Sequence, residues 1–504
     1  MLAILYPKNC ISDDLQRSSA IRMTTLTFYG GAGEIGGNQI LLEDDDTRIW
    51  LDFGMPFSRA NRYFSEFLQP RKLSGLGDWF EFGLMPDLPG LYREDYISRL
   101  REPSDLAFDA VLLTHAHADH SAYIHFLRPD LPIYASEVTK RILEALEVTS
   151  TTGFAEFLRL KETFKLVPKS KGEGFKRLQG KEAKRSRKFK VIGSRARIGN
   201  IEVEAFPVSH SLPGARAYLL HTSSGTIFYT GDFRFHGRGE EATRETVERV
   251  ADVEVDAMLC EGTRVRESTD IPEAELERRI TSEMRGVKGL VVVNFPPRDI
   301  DRMISFLRAS EENDRKLVVS LRQAYLLKML EGSDCGAPKL DDVCVYLPRK
   351  NWGLIGDPSY PEEVVAQDYE YWEREFLNLE NAVIAEDIRE SPRDYVFRCD
   401  FFELKNLIDI RPPKGSIYIR SVTEPFDEET EIDKRKADAW LKHFGLYPYS
   451  QIHCSGHAGG PELRRTIEDV SPELLIPVHT EAPEAFEEFH QNVKRVKLGQ
   501  RIEL

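Results

Sequence analysis

An apolar run, Ala110-Val111-Leu112-Leu113-Thr114, leads directly into His115-Ala116-His117-Ala118-Asp119-His120, and few folds can use such a junction. Side chains two apart on an extended segment share a face, so His115 and His117 can grip one cation. Asp119 and His120 follow where a turn aims them at a second cation about 3.5–4 Å away, the spacing of two-metal hydrolases. The chain has twelve histidines in 504 residues. At that frequency H-x-H-x-[DE]-H arises by chance on the order of once in a thousand such chains. A cluster of surface histidines is the competing reading. The motif asks for a strand whose C-terminal end opens onto a polar site.

The first half supplies more strands of that kind. Thr25 to Gly30, Gln39 to Glu43, Thr47 to Gly54, Leu131 to Ala135 and Ile201 to Val208 are short apolar or β-branched runs broken by Gly and Asp clusters. Arg216 to His221 and Thr226 to Thr230 flank the polar turn Thr222 to Gly225, which predicts a hairpin. His210 and Asp232 each stand just beyond a strand end, like the His115 cluster. Gly31-Ala32-Gly33-Glu34-Ile35-Gly36 satisfies GxGxxG, with Asp52 about 20 residues on, as in a dinucleotide fingerprint. That motif needs a helix at its third glycine, however, and Gln39 to Glu43 reads as a strand. A tight glycine loop near the cleft is the better expectation.

After about Ser268 the pattern changes. Leu276, Ile280 and Met284, and then Ile300, Met303, Ile304 and Leu307, fall at helical spacing. They alternate with buried-strand runs at Leu290 to Phe295 and Leu317 to Leu321, which implies βαβ units on a parallel sheet. The fold class is therefore α/β, with two to four domains from length alone.

Composition narrows the function. Sixty-eight basic against eighty-three acidic residues give a net charge of −15, which disfavours nucleic-acid binding by bulk electrostatics. Residues 165–197 run against that trend, with thirteen Lys or Arg and only Glu173 and Glu182. They read equally as a solvated loop or as a flap that tracks phosphates. The six cysteines include no CxxC pair, so free thiols and a cytoplasmic location are expected. The mean hydropathy of −0.39 and the six-residue apolar start suggest neither a membrane span nor a signal peptide. The stretch from Phe57 to Arg101, with Phe64, Phe67, Trp79, Phe80 and Phe82, is long for a connection. It would either fill core or stack bases near the cleft.

His115 to His120, His210 and Asp232, read in order, resemble the metal-ligand sequence of the metallo-β-lactamase superfamily. Cys260-Glu261-Gly262-Thr263, Cys454-Ser455-Gly456-His457-Ala458 and Ile476-Pro477-Val478-His479 resemble the acid-and-histidine motifs of its β-CASP branch. The loop from Thr27 to Asn38 and Ser455-Gly456-His457-Ala458 look most like the ribonuclease J family. The resemblance implies an αββα sandwich with an inserted α/β (β-CASP) domain. The expected divisions are an N-terminal extension at 1–24, the first part of the metallo-β-lactamase domain at 25–268, the insert at 269–458 and the return segment at 459–504. Independently, Asp232 and His479 are 247 positions apart, so a shared site requires the chain to leave and return.

The resemblance also implies roles. His115, His117 and His210 would hold one zinc, and Asp119, His120 and His479 the other, with Asp232 bridging; manganese or magnesium are the alternative ions. His457 would contact the scissile phosphate and protonate the leaving oxygen, with Glu261 orienting its ring. Asp52 would brace the ligand loop, and Ser455, the peptide groups of Gly456 to Ala458, and Arg322 would hold phosphate. The implied activity is hydrolysis of phosphodiester bonds in single-stranded RNA, from a 5′ end or internally. A DNA nuclease, a small-molecule metallo-hydrolase and a non-catalytic scaffold are the rivals. The chain departs from the family at Pro296 to Arg302, which is one residue longer than the pattern. Where the family has Gly-Arg-Ser-Met this chain has Ser320-Leu321-Arg322-Gln323, so Arg322 is the substitute cation. With 25 residues after His479, a monomer or dimer is expected. His125, His221, His236, His443, His453 and His490 have no motif partner and read as structural, His453 being the one beside a candidate phosphate loop.

Overall fold

A computed structural model describes residues 23–504 except 66, 72–73, 151–153, 162–164, 179–184 and 426–427. Residues 1–22 of the expected extension at 1–24, Cys10 among them, and part of the basic 165–197 stretch therefore lie outside the described residues.

Two sheets form the body of the molecule. The first runs in the order Phe189–Val191, Ile133–Ala135, Ala110–Leu112, Thr47–Leu51, Gln39–Asp44, Thr25–Gly30 and Arg501–Glu503. The second runs Arg195–Ile198, Ile201–Pro207, Arg216–Thr222, Gly225–Tyr229, Ala257–Glu261 and Leu474–Val478. Alternation along the strands fixes which faces meet. Leu26, Phe28, Ile40, Leu42, Ile49 and Leu51 point inward against Val203, Tyr218, Leu220, Ile227, Leu259 and Ile476, filling the space between the sheets. Leu41, Trp50 and Val111 point to the other side, into a core shared with the helix Glu137–Thr149. On the outer face of the second sheet, Leu219, Phe228, Met258 and Leu475 bury Val247, Val250, Leu463 and Ile467 from the helices Glu240–Ala251 and Gly460–Val470. Each sheet is covered on both faces, an αββα sandwich.

A third sheet lies between Glu261 and Leu474 in sequence. Its order is Ala382–Val383, Cys344–Tyr346, Lys316–Ser320, Tyr395–Arg398, Val291–Asn294, Ile417–Arg420 and Ser450–Gln451, parallel throughout. Asp299 caps the helix Ile300–Glu312 by accepting the Arg302 N–H at 3.0 Å. Ser320 and Gln323 form a capping box at the start of the helix Leu321–Leu330. Its apolar residues, among them Val291, Met303 and Leu326, join the same core as Trp50 and Val111, so the two parts share one interior.

The chain returns at Leu474–Val478, which pairs in parallel with Ala257–Glu261 and sets Val478 opposite Glu261. No described helix is long and apolar enough to cross a membrane. The aromatic stretch divides: Trp79 is buried, Phe64 and Phe80 are half-buried, and Phe67 is 93% exposed.

Candidate metal centre

Every residue of the centre stands at, or just past, the C-terminal end of a sandwich strand. Asp52 follows Thr47–Leu51, His115 to His120 follow Ala110–Leu112, His210 follows Ile201–Pro207, Asp232 follows Gly225–Tyr229, and His479 follows Leu474–Val478. Both sheets thus deliver their ligand types to one edge.

Two of these strands end on a left-handed residue, and the first stops earlier than its predicted run from Thr47 to Gly54. Asp52 adopts φ 56° and His479 φ 53°, left-handed values that cannot continue a strand. Such strain persists only where surrounding bonds over-determine it. Asp52 is fixed by four: Oδ1 accepts Thr114 N–H at 2.7 Å, and Oδ2 accepts Thr114 Oγ1–H at 2.8 Å, His120 Nδ1–H at 2.7 Å and Tyr229 O–H at 2.7 Å. His479 N–H donates to Gly31 O at 2.8 Å.

The glycine loop shapes the other wall. Asn38 N–H donates to Asp119 O at 3.0 Å. A Cβ on Gly36, where φ is +77°, would come within 2.6 Å of Asp119 Oδ2. One on Gly54 would come within 1.7 Å of Asp119 O. These glycines let the backbone close around Asp119; Gln39–Asp44 is a strand, and no helix starts at the third glycine.

Three imidazole nitrogens converge at one point. His117 Nδ1 lies 2.9 Å from His115 Nε2 and 3.0 Å from His210 Nε2. The far nitrogens are engaged: His115 Nδ1 meets Thr114 Oγ1 at 3.0 Å, and His210 Nδ1 donates to Gly456 O at 2.7 Å. Bonding at the far side leaves Nε2 lone pairs aimed at His117. Burial, together with the neighbouring imidazoles, drives the pKa values of His115 and His210 well below the ordinary range, and burial puts His117 at about 3. All three are neutral at pH 7, the form that binds metal. Packing lone pairs this closely is unfavourable unless a proton or a metal ion sits among them.

A second group lies alongside. His479 Nε2 is 3.2 Å from Asp119 Oδ2, and His120 Nε2 is 4.0 Å from it. His479 Nδ1 meets Thr263 Oγ1 at 2.8 Å. Asp232 Oδ2 faces both groups, at 3.6 and 3.8 Å from His115 and His210 and at 3.2 and 3.8 Å from His120 and His479. Burial works against ionisation of Asp232, but the charges of His120, His479 and His457 hold its carboxyl well below the usual range. Buried Asp232 Oδ1 and His120 Nε2 have no hydrogen-bond partner among the described residues. Buried polar atoms without partners are costly. The donor set fits metal ions bound by imidazole and carboxylate.

His457 stands apart from these groups. Its Nδ1 lies 3.1 and 3.2 Å from the Glu261 carboxylate oxygens and 3.9 Å from Asp232 Oδ2. Its side chain is 19% exposed and that of Asp119 18%, against 2% or less for Asp232 and His479, so the centre opens to solvent at this side. Ser455 Oγ accepts the His457 N–H at 3.2 Å, while Ser455 O accepts from Arg234 at 2.9 Å and His236 at 2.8 Å.

Several expectations need correction. Ala458 is fully buried and its N–H donates to Phe233 O at 2.7 Å, so that amide is spent and offers nothing to a phosphate. Arg322 is exposed on the first turn of its helix, and its charge acts on Glu403. Arg298, which follows Val291–Asn294, is the basic residue whose charge acts on Asp119 and His117. A basic residue beyond the end of a parallel strand was the available signal. His236 is structural, as expected, and holds the carbonyl two residues before His457. His453 bonds Arg302 at 3.1 Å, on the inner side of that loop. Of the basic stretch, Arg187 is buried and donates to Phe157 O at 2.8 Å and to Leu127 O and Arg128 O at 3.1 Å, holding loops together.

Asp52→Asn retains one acceptor oxygen where four donors converge. It is expected to loosen His120 and weaken metal binding by about 10–100-fold, read by competition with a chelator; unchanged affinity would remove Asp52 from the centre.

Comparison with known proteins agrees with this geometry. Residues 88–287 match the Beta-lactamase superfamily domain and residues 449–503 the Zn-dependent metallo-hydrolase RNA specificity domain. Ribonuclease J of Sinorhizobium meliloti is 25% identical over 417 residues, covering 79% of this chain and 62% of that protein. That of Mycolicibacterium smegmatis is 25% identical over 326 residues, 63% of this chain and 48% of the relative. The chain thus spans about half to three-fifths of these relatives' length. Ribonuclease J of Pyrococcus abyssi is 21% identical over 478 residues, 92% of this chain and 90% of its own. A crystal structure of a protein of unknown function from Enterococcus faecalis shares the fold, with a TM-score of 0.69 and 24% identity over 96% of this chain and all of that one.

Proposed function

We propose, for a chain that belongs to the metallo-β-lactamase superfamily in its ribonuclease J-like β-CASP branch, that it is a ribonuclease cleaving phosphodiester bonds in single-stranded RNA with two zinc ions. The observation that carries this reading is the Glu261–His457 pair beside the ligand cluster. A small-molecule hydrolase needs no such acid, supplied from the same RNA-specificity segment as His479.

His115, His117 and His210 would hold one ion and Asp119, His120 and His479 the other, with Asp232 between. Bound zinc supplies Lewis acidity and a nucleophile available near pH 7. The remaining steps belong to side chains. Glu261 accepts from His457 Nδ1, which leaves Nε2 to carry a proton toward the leaving oxygen. Arg298 faces the ligand cluster from the inserted sheet and would offset charge on the phosphoryl oxygens. The Ser455 hydroxyl, accepting from His457, retains its own hydrogen for a phosphate oxygen. Arg322, exposed on the insert, is left for a phosphate further along the strand. The five described cysteines are all unpaired, which supports the cytoplasmic expectation.

The test is to incubate protein loaded with zinc or manganese with end-labelled RNA and DNA bearing 5′-monophosphate, 5′-triphosphate or 5′-hydroxyl. RNA is expected to be cut and DNA spared, and the ladder separates trimming from internal cleavage. Equal cutting of both polymers would make the enzyme a general nuclease.

A further inference from the structure

Beside the metal centre lies a cavity of about 500 Å³ that the proposed reaction does not use. Its size falls within the roughly 300–1,000 Å³ of small-ligand sites. Most of its wall comes from the aromatic stretch, with Phe64 and Trp79, and from the helical turns after the His cluster, with Tyr123 and Phe126; Phe154, beyond the helix Glu137–Thr149, adds a further ring. The rings are braced by one another. Trp79 packs on Phe126 at 5.0 Å and on Phe154 at 5.6 Å, and Phe126 and Phe154 are 5.4 Å apart. A space lined by fixed aromatic faces suits a flat, unsaturated ring.

Its position says more than its size. Ala118 lines the cavity, and the next residue is Asp119 of the ligand cluster. Arg298 lines it too, and the field of that guanidinium reaches Asp119 and His117. Arg298 is half-buried and makes no hydrogen bond or ion pair among the described residues. One wall of the cavity is therefore shared with the metal centre and carries a cation whose charge acts on Asp119. Through Ala118 and Arg298 the cavity adjoins the place where a phosphodiester at the ligands would lie. Glu429, exposed at the rim, offers an acceptor to an exocyclic amino group.

We propose that this cavity is a nucleobase pocket, which takes one unstacked base of the RNA strand next to the bond being cut, with Arg298 bridging the pocket and the scissile phosphate. The proposal rests on the ribonuclease reading above and adds to it a site of substrate positioning. Stacking on aromatic side chains accepts any base, so the pocket fixes register along the strand more than it selects sequence.

The experiment uses the metal-loaded full chain and short 5′-monophosphorylated RNAs with a single abasic ribose at each position in turn. Base–aromatic stacking makes the expected loss in kcat/KM about 10- to 100-fold at one or two adjacent positions beside the cut, with the others unaffected. Ala155→Trp, at a half-buried position on the cavity wall, should lower cleavage of intact RNA to the abasic level and flatten the profile. A flat profile in the unaltered enzyme, with intact RNA still cleaved, overturns the pocket and leaves the ribonuclease standing. RNA left uncut by metal-loaded protein overturns the ribonuclease, and the pocket with it.

Discussion

Replacing His117 or Asp119 by alanine is expected to abolish hydrolysis and strip metal from the protein. His117 Nδ1 is the atom on which His115 and His210 converge, at 2.9 and 3.0 Å, and with Asp232 these three imidazoles make up one of the two candidate ligand groups. Asp119 is the only carboxylate within 3.2 Å of His479 Nε2 among the described residues. Losing either leaves a group with too few ligands, and the fall in rate is expected to be about a thousandfold or more. Metal content per chain, measured beside RNA hydrolysis, checks both halves. The Asp119 carbonyl keeps its bond from Asn38 in the variant, so the loop has the means to hold its shape. Undiminished activity in both variants would end the two-metal proposal.

His457→Ala is expected to cost about 100- to 10,000-fold in kcat, the range for a lost general acid, with metal content unchanged. The acidity of this imidazole gives a second readout. Burial pulls its pKa down, but the carboxylates of Glu261, Asp232 and Asp119 more than reverse that and raise it to about 9. The protonated form is the one that donates. The rate should therefore hold through neutral pH and fall as the pH rises through that region. Glu261→Gln removes the largest raising charge, so the alkaline limb should move to lower pH while His457 stays in place. A pH–rate profile whose alkaline limb is the same in Glu261→Gln and the unaltered enzyme would remove His457 as the acid.

The parts of this molecule that sequence can reveal are those whose chemistry permits few substitutes. A metal needs imidazole or carboxylate, and His115 to His120, His210, Asp232 and His479 each follow an apolar strand, so both type and place are visible. Strand lengths were less legible. The run from Thr47 to Gly54 reads as one strand, but the ladder stops at Leu51 because Asp52 turns left-handed to collect Thr114, His120 and Tyr229. Thr114 likewise leaves its strand because its N–H goes to that carboxylate. Arg298 is illegible for a different reason. It gains its place from a segment more than a hundred residues away, and nothing in its own neighbourhood encodes the meeting. The amide of Ala458 was misread similarly, since only the fold shows that Phe233 O already occupies it. Trp79 and Phe67 look alike in sequence, yet one is sealed inside and the other lies bare.

The parallel pairing of Leu474–Val478 with Ala257–Glu261 joins segments separated by the whole inserted sheet. On the ribosome, a nascent chain carries His115 through Asp232 long before His479 emerges. Until the last strand slots in beside Glu261, one ligand group is short of its third donor and Asp119 lacks its imidazole neighbour. The full donor set therefore assembles only when Leu474–Val478 takes its place beside Ala257–Glu261, which couples metal uptake to closure of the second sheet.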